Sequence, residues 1–481
     1  MPGAAAACTW RLRVVVCPCH AASVAAKDGR THEAKMQSEC AADFDPTMLF
    51  HKACKPATEH RVGVECERFG LVGPACTPLP YHGTVSIETL FRALEQEGFK
   101  PYLERDGGPA IAMARGDANF TLEPGGQFEL SSPARSTLSD LSREIVGLFA
   151  ELVAQAPEIT WMPMGFHPLA RIADLPSVPK QRYPIMKGYF LNTGQRGEDM
   201  MWRTATTQVN VDFTSESVAW EKWVVATKLQ PLVAAWTANS PFYEGKHRGR
   251  LSERSAVWLD VDPARTGLLE TLWQAKFSAG GFFAQYAEWA LNIPVFLIKR
   301  GGQATAAHQH TFAELLQHGF EGQRVTEADW DTHLSSLFPE VRLKRTLETR
   351  GADSLPTPHV LALAALWRGL LDDTETRQRL LGVIAAWSSD DLQRLRNALI
   401  AEGLRADFRG LPVAEACQSL VESARQGLES LGETRDWLAP LSDLASTAET
   451  LADRALKTLG REPQRAALAG YYAQALGAEH A

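Results

Sequence analysis

The sequence predicts an α+β protein in which an antiparallel sheet, flanked by helices, carries the functional groups and the C-terminal region is helical. Short runs of alternating apolar residues recur within 58–131, 205–213 and 338–353, as is typical of strands with one buried face. Apolar residues at helical spacing fill 137–156 and 219–236. After Pro358 the helical spacing continues almost without a break, which predicts a helical region packed beside the sheet.

Composition and charge argue against several classes of protein. The chain has 481 residues, enough for two or three domains or for one large catalytic domain with an appendage. Its net charge of −8 argues against a nucleic-acid partner, because phosphate binding needs a concentrated basic face. No apolar run reaches the roughly 18–20 residues that a membrane span needs, so we expect no membrane partner.

Residues 1–45 differ from the rest of the chain. Small apolar residues at 1–7 precede a basic and apolar piece at 10–16, which is too short and too charged for a secretory signal. Six of the eight cysteines lie before residue 70, which is unlike a disulfide framework for a whole domain. We expect 1–45 to be a disordered or mis-assigned leader and the protein to be cytoplasmic.

The first predicted strand lies within 58–71. Glu65 and Glu67 are two residues apart and therefore emerge on the same face of that strand. A solvated strand face is the alternative interpretation of such a pair. A second set of paired carboxylates further along the chain favours a functional role instead.

That second set lies in a predicted hairpin, Phe120–Ser131. Pro presets one φ angle and Gly accepts positive φ, so Pro124-Gly125-Gly126 predicts a tight turn between two strands. Glu129 lies on one face with Gln127, and Glu123 joins that face if it pairs with Gln127. Clustered carboxylates repel one another unless a cation or a proton lies among them, so the hairpin predicts a cation site.

Three later segments supply groups that suit such a site. Gln208 and Asn210 form the polar face of a predicted strand within 205–213. Residues 244–255 place Lys246 and Arg254 in a basic, glycine-containing run, which is either a solvated loop or an anion clamp. Within 338–353 acidic and basic residues alternate, as in a strand that presents a cluster of ions.

The residue types together predict a magnesium–nucleotide site. Mg²⁺ takes oxygen ligands and binds a few carboxylates together with substrate phosphates, while Arg and Lys neutralise a phosphoryl group in transfer. The chain contains no Gly-x-x-x-x-Gly-Lys-Ser/Thr run, so a P-loop fold is not expected. No Gly-x-Ser-x-Gly elbow is present either.

Five separated segments, in the same order, resemble the plant and proteobacterial type of glutamate–cysteine ligase. The resemblance covers roughly residues 58–470. One motif alone would not be specific for this family, but five motifs in the same order are. The segments are 62–70 (VGVECERFG), 122–131 (LEPGGQFELS), 199–204 (DMMWRT), 208–213 (QVNVDF) and 338–353 (FPEVRLKRTLETRGAD).

The resemblance implies a glutamine-synthetase-like catalytic domain over 46–355, whose curved antiparallel sheet holds the metal and ATP, with a helical region over 356–481 packed on it. It implies that ATP phosphorylates the γ-carboxylate of L-glutamate and that the amine of L-cysteine attacks the acyl phosphate. The products are γ-glutamylcysteine, ADP and phosphate, the first step of glutathione biosynthesis. We expect no nucleic-acid partner, and a monomer or weak homodimer.

The resemblance also implies roles for individual residues. Arg350 meets the transferring phosphate and, with Arg203, belongs to the catalytic groups. Arg203 and Arg254 hold substrate carboxylates, and Lys246 joins Arg350 at the nucleotide. The remaining polar residues are Gln208 and Asn210 at the substrates and the Mg²⁺ ligands Glu65, Glu67, Glu123, Glu129 and Glu348.

The chain departs from the family pattern at several positions. Cys66 stands where the family has a histidine, and we expect it to face away from the metals and pack as a small apolar residue. Residues 137–156 and 301–324 contain no cysteine, so we expect no plant-style disulfide control. Phe296 replaces a tyrosine near the glutamate site and puts the amino-acid preference in question.

Two rival functions stay open. One is a ligase of the same chemistry with another amine acceptor. The other is a catalytically silent homologue that acts as a binding or regulatory subunit. The intact set of glutamates and Arg350 argues against the silent homologue.

Overall fold

The structure is a computed structural model that describes residues 44–274 and 281–477. The predicted leader lies almost entirely outside these ranges. Residues Pro46–Ala481 form one compact unit. The division of this unit into 46–355 and 356–481 stays a prediction.

The strands are short apart from the first. They are β1 Val62–Val72, β2 Thr77–Pro78, β3 Lys100–Leu103, β4 Ala110–Arg115, β5 Ala118–Leu122, β6 Phe128–Ser131, β7 Ile159–Met162, β8 Thr206–Val211, β9 Phe242–Tyr243, β10 Lys246–His247, β11 Thr266–Gly267, β12 Leu297–Arg300, β13 Gln303–Ala306, β14 Phe338–Pro339, β15 Val341–Leu343, β16 Leu347–Asp353, β17 Asp407–Phe408 and β18 Leu411–Pro412.

The helices lie between the strands and then dominate the C-terminal region. They are α1 Met48–Ala53, α2 Ile87–Gln96, α3 Leu138–Gln155, α4 Arg182–Phe190, α5 Gly197–Arg203, α6 Glu216–Trp236, α7 Glu253–Trp258, α8 Glu270–Gln274, α9 Gly281–Leu291, α10 Phe312–His318, α11 Glu327–Leu334, α12 Thr357–Leu371, α13 Thr374–Ile384, α14 Ser389–Glu402, α15 Val413–Ser430, α16 Ala439–Thr447, α17 Leu451–Leu459 and α18 Arg465–Gly477.

One large antiparallel sheet organises the described residues. Its strands follow the order β15-β16-β8-β1-β6-β5-β4-β3, and β2 and β7 also pair with β1. The first half of β1 pairs with β6 and β8, and its second half, from Phe69 to Val72, pairs with β7. The predicted α+β class with a helical C-terminal region is therefore confirmed.

The helices cover the sheet face opposite the glutamates of β1. Val64, Cys66 and Arg68 alternate with Glu65 and Glu67, and all three are almost fully buried. The Arg68 guanidinium donates to Thr357 Oγ1 at 2.9 Å, at the start of α12. Most of α12 is buried and packs against β1 and β8. This packing leaves the glutamate face free to form the wall of a site.

Two predictions about local structure need correction. Residues 338–353 do not form one strand, because the chain reverses between β15 and β16 and pairs Arg342 with Glu348. The basic run 244–255 is not all loop, since Lys246 lies in β10 and Arg254 in α7.

No helix in the described part of the chain is long and apolar enough to cross a membrane.

Candidate active site

The register of the sheet brings the predicted glutamates together. Glu67 of β1 lies opposite Glu129 of β6, and Glu65 lies opposite Gln208 of β8. On the next strand pair, Glu348 of β16 lies opposite Asn210. Directly opposite residues on one sheet face have Cβ atoms about 4.5–5.5 Å apart, so these polar groups form one continuous patch.

The predicted hairpin turn places Glu123 at the edge of this patch. Glu123 N donates to Gln127 O at 2.9 Å, which confirms the predicted pairing, and Gly126 N donates to Glu123 O at 2.9 Å. The Gln127 side chain is buried, and its amide atoms form hydrogen bonds with backbone groups. It accepts from Gly125 N at 2.8 Å and donates to Thr204 O at 2.8 Å. Gln127 therefore holds the turn in place.

Hydrogen bonds orient the carboxylates. Asn210 Nδ2 donates to Glu65 Oε1 at 3.0 Å, and Thr206 N donates to Glu67 Oε2 at 2.9 Å. Ser131 Oγ donates to Glu129 Oε1 at 3.2 Å. Each of these three carboxylates has a single such donor here, so lone pairs remain for other ligands.

Glu348 differs from the other glutamates because two arginines hold it. Arg342 Nη2 donates to Glu348 Oε2 at 2.7 Å and to Oε1 at 2.9 Å, and Arg350 Nη1 donates to Glu348 and to Gln208. Burial alone would raise the pKa of Glu348, but the two guanidinium groups outweigh it and lower that pKa to about 2. Glu348 is therefore ionised whether or not a metal is present.

The sequence did not single out Arg342 for a role. Its position two residues from Glu340, in the alternating run 338–353, was a usable signal. Only the reversal of the chain at 344–346 pairs it with Glu348.

Burial and mutual repulsion act on the remaining carboxylates. Burial, together with repulsion from Glu348, raises the pKa of Glu65 to about 7. Burial and repulsion from Glu65 and Glu123 raise the pKa of Glu129 to about 8. Burial and repulsion from Glu129 and Glu123 raise the pKa of Glu67 well above its ordinary range. These carboxylates lack enough positive charge nearby to stay ionised.

This donor set fits a divalent cation. All the groups are oxygen donors, which Mg²⁺ prefers, and a cation would supply the missing positive charge and release protons as it binds. Within the described residues, no group of three or more His, Cys, Asp or Glu side chains is already gathered for metal binding. The chemistry of the donors, rather than a finished coordination geometry, is what supports a cation here.

A cavity of about 70 Å³ opens on this patch. Arg182, Arg254 and Arg350 line it beside Glu67 and Glu123. The predicted arginines Arg254 and Arg350 are thus brought together. Arg254 donates to Arg350 O at 2.7 Å and to Gly351 O at 3.1 Å, so its guanidinium is anchored on β16.

Two of the predicted basic residues do not line this cavity. Arg203 is buried, donates to Asp199 Oδ1 at 3.2 Å and to Glu244 Oε1 at 3.3 Å, and lies over the ring of Tyr243. Lys246 is exposed and pairs with Glu462 at 3.5 Å. In this structure the positive charges of Arg203 and Lys246 are paired with nearby carboxylates and do not line the cavity.

The start of α4 and the residues just before it contribute groups that the sequence reasoning missed. Lys180 Nζ donates to Leu122 O at 2.6 Å, and Tyr183 Oη donates to the same oxygen at 2.5 Å. Burial lowers the pKa of Lys180, while Glu123 and Glu129 oppose that effect. The run Lys180-Gln-Arg-Tyr183 at a helix start was the available signal, because it places two cations two residues apart.

The residues that depart from the family pattern are buried. Cys66 is 1 % exposed and points away from the glutamates, as expected. Phe296 packs against Tyr189 with ring centroids 5.0 Å apart, and the Arg265 guanidinium lies 3.8 Å from the centre of its ring. The described cysteines Cys54, Cys76 and Cys417 are free thiols.

Comparison with known proteins shows the family of this chain. The profile of glutamate–cysteine ligase family 2 matches residues 61–474. The chloroplastic glutamate–cysteine ligase of Brassica juncea is 35% identical over 438 residues, which cover 90% of this chain and 84% of that protein. The Arabidopsis thaliana enzyme of the same name is also 35% identical, over 90% of this chain and 82% of that protein.

A solved structure shares the fold. It is glutamate–cysteine ligase from Francisella tularensis in complex with AMP, with a TM-score of 0.53 and 9% identity over 88% of this chain and 89% of that one. At this identity the likeness concerns the fold alone. The two plant relatives are named chloroplastic, so the prediction of cytoplasmic residence is wrong by this comparison.

Proposed function

We propose the following reaction for this chain, which belongs to glutamate–cysteine ligase family 2. ATP transfers its γ-phosphate to the γ-carboxylate of L-glutamate. The neutral amine of L-cysteine then attacks the carboxyl carbon of this γ-glutamyl phosphate. An amide bond forms as the bond from that carbon to the phosphate oxygen breaks. The amine proton leaves with the phosphate, and the products are γ-glutamylcysteine, ADP and phosphate, the first step of glutathione biosynthesis.

One observation carries the proposal: carboxylates from three strands and the hairpin turn share a sheet face with Arg350 beside them. Five acidic groups in one patch are stable only with compensating positive charge. Mg²⁺ would be held by the five glutamates predicted from the sequence, Glu65, Glu67, Glu123, Glu129 and Glu348. When bound, Mg²⁺ neutralises the phosphates of ATP and the charge that develops in phosphoryl transfer.

The chain's own residues position the reactants around this charge. Arg350, anchored to Glu348 and Gln208, faces the cavity and meets the transferring phosphoryl group. Arg182 and Arg254 also line the cavity and supply the positive charge that a substrate carboxylate needs. Asn210 orients Glu65, and Thr206 N orients Glu67.

The test is turnover by the purified full chain with ATP, Mg²⁺, glutamate and a panel of amines. ADP release and the formation of the γ-glutamyl product are measured together. We expect cysteine to support both at equal rates, and removal of Mg²⁺ with EDTA to stop both. Product formation that prefers another amine over cysteine would contradict the proposed acceptor, and absence of glutamate-dependent ADP release would contradict the reaction itself.

A further inference from the structure

Asp353 is a buried carboxylate to which the proposed chemistry gives no part. It is the last residue of β16, the strand that carries Glu348 and Arg350, and it is 1 % exposed. It does not line the cavity beside Glu67, here called the glutamate-lined cavity. A buried carboxylate costs free energy unless donors or charges compensate it, so its neighbours indicate what it does.

Three donors reach Asp353 from outside its own strand. Asn239 N donates to Oδ2 at 2.8 Å, and Ser240 Oγ donates to the same atom at 2.7 Å. Ser252 Oγ donates to Oδ1 at 3.1 Å. Asn239 and Ser240 follow the C-terminal end of α6, and Ser252 caps the start of α7. One carboxylate therefore joins β16 to the ends of two helices.

The same two serines hold the start of α7, which carries Arg254. Arg254 N donates to Ser240 Oγ at 3.3 Å. Ser252 Oγ accepts from Ser255 N at 3.0 Å, which fixes the first turn of the helix. The Arg254 guanidinium then returns to β16 and donates to two of its backbone oxygens, at 2.7 and 3.1 Å. These hydrogen bonds form a closed circuit between Asp353 and Arg254.

Close packing also holds this carboxylate. A Cβ at Gly165 would lie 2.2 Å from Asp353 Cγ and 2.5 Å from its Oδ2. Gly165 N donates to Asn239 O at 3.1 Å, so the loop that packs on Asp353 is tied to one of its donors. The position of the carboxylate is therefore fixed by packing as well as by hydrogen bonds.

The direction of Arg254 matters because this side chain lines the glutamate-lined cavity beside Arg350. An arginine pairs with a carboxylate through a rigid planar fork, so its pairing depends on direction. A misplacement of about 1 Å can reduce the rate of a reaction about a hundredfold. A link that fixes α7 against β16 therefore bears on how the site binds a substrate.

We propose that Asp353 is a positioning residue, whose hydrogen bonds to Ser240 and Ser252 hold Arg254 in the direction that binds a substrate carboxylate. Asp353 touches no substrate and acts through Arg254. This inference rests on the proposed function, because that function gives Arg254 an amino-acid substrate to bind.

The test compares two substitutions of Asp353 in the full chain. Asp353→Ala removes the acceptor for all three donors. Asp353→Asn keeps the circuit, because its Oδ1 accepts from Asn239 N and Ser240 Oγ while its Nδ2 donates to Ser252 Oγ. Ser252 Oγ then donates to Ser255 Oγ, 2.8 Å away. Ser252→Ala is a milder variant that removes one donor, for use if Asp353→Ala does not fold.

We expect Asp353→Ala to raise KM about three- to a hundredfold for the amino acid whose KM also rises in Arg254→Lys, within the range of coupling in one hydrogen-bond network. Ser252→Ala should raise the same KM about two- to tenfold. KM for ATP should change less than about twofold, and kcat should fall less than about threefold, because Arg254 binds the substrate before and during the reaction. Asp353→Asn should keep KM within about twofold of the wild type.

The double variant of Asp353→Ala with Arg254→Lys separates positioning from general damage to the fold. Lysine lacks the planar fork that Asp353 positions. The double variant should therefore have the same KM as Arg254→Lys alone. Calorimetric titration with glutamate, in the presence of Mg²⁺ and a non-hydrolysable ATP analogue, gives the same comparison without turnover.

Glu433→Ala is the matched control. Glu433 accepts from Leu138 N at 3.0 Å and lies 3.1 Å from Arg368 Nε, and its side chain is 8% exposed. It does not line the glutamate-lined cavity. Loss of this buried carboxylate should change each KM less than about twofold.

An unchanged KM in both Asp353→Ala and Ser252→Ala would overturn the inference. A KM in Asp353→Asn as high as in Asp353→Ala would also overturn it, because asparagine keeps the hydrogen bonds. A further rise of KM in the double variant would do the same, since Asp353 would then act without Arg254. Absence of glutamate-dependent ADP release in the wild type would instead overturn the proposed function, so the two failures are distinguishable.

Discussion

Gly125 in the hairpin turn is the position where a single methyl group should do most damage to the site. A Cβ at Gly125 would lie 2.2 Å from the backbone oxygen of Trp202 and 2.9 Å from its carbonyl carbon. Carbon atoms in contact lie about 3.5–4.0 Å apart, so the overlap exceeds about 1 Å. Both partners are backbone atoms, and neither can rotate away. Gly125→Ala must therefore shift the turn or α5.

The cost follows from this overlap. Overpacking of this kind destabilises proteins by about 1–3 kcal/mol. The turn carries Glu123, and a displacement of about 1 Å at a reacting centre can reduce turnover about a hundredfold. We expect the free energy of unfolding to fall by about 1–3 kcal/mol and kcat/KM for glutamate to fall by about a hundredfold.

Urea denaturation measures the first quantity and ADP release measures the second. Gly147→Ala is the matched control, because its Cβ would meet nothing within 4 Å on α3. An alanine inside a helix should stabilise the control by about 0.5–1 kcal/mol with no change in activity. If Gly125→Ala is as stable and as active as Gly147→Ala, the close contact with Trp202 does not position the turn.

Three further predictions concern the metal ligands, a buried ion pair and the cysteines. Glu129→Gln should lower turnover by more than about a hundredfold. It should not lower the melting temperature, since it removes one of several carboxylates that repel one another. Near-normal turnover would show that Glu129 is not part of the metal site. Lys222 donates to Asp372 at 2.5 Å, and both are buried, so Lys222→Met should cost about 3–5 kcal/mol in urea denaturation and the double variant with Asp372→Asn much less. A loss below about 1 kcal/mol in the single variant would show that the pair contributes little. Because α3 contains no cysteine, oxidation with diamide should leave the rate of ADP release unchanged, and so should later reduction with dithiothreitol. If diamide slows ADP release and dithiothreitol restores it, the protein has a regulatory disulfide.

Local periodicity was sufficient to predict strand β1 and the faces on which its side chains lie. Alternation placed Glu65 and Glu67 on one face and Cys66 on the other, and β1 has that arrangement. The Pro-Gly-Gly run was sufficient for the hairpin turn, because its φ preferences depend on the residues themselves. Helices α3 and α6 follow from apolar residues at helical spacing.

The pairing of charges depended on contacts between distant segments. Arg203 and Lys246 were predicted at the substrates, yet Arg203 pairs with Asp199 and Glu244 inside the fold and Lys246 pairs with Glu462 on the surface. The sequence around a basic residue does not indicate which carboxylate lies beside it in the folded protein. Asp199 lies one turn before Arg203 in α5, but Glu244 and Glu462 come from other segments, and only packing brings them beside Arg203 and Lys246.

The sequence by itself determined the α+β class, the glutamate-bearing strands and, through five ordered motifs, the ligase family. Only the tertiary structure decided that Glu67 lies opposite Glu129 and that Arg342 holds Glu348. It alone revealed that the side chain of Gln230 is buried without a hydrogen-bond partner among the described residues. The physical reason is that strand character follows from spacing over a few residues, whereas register and cavities follow from how separate strands and helices pair and pack.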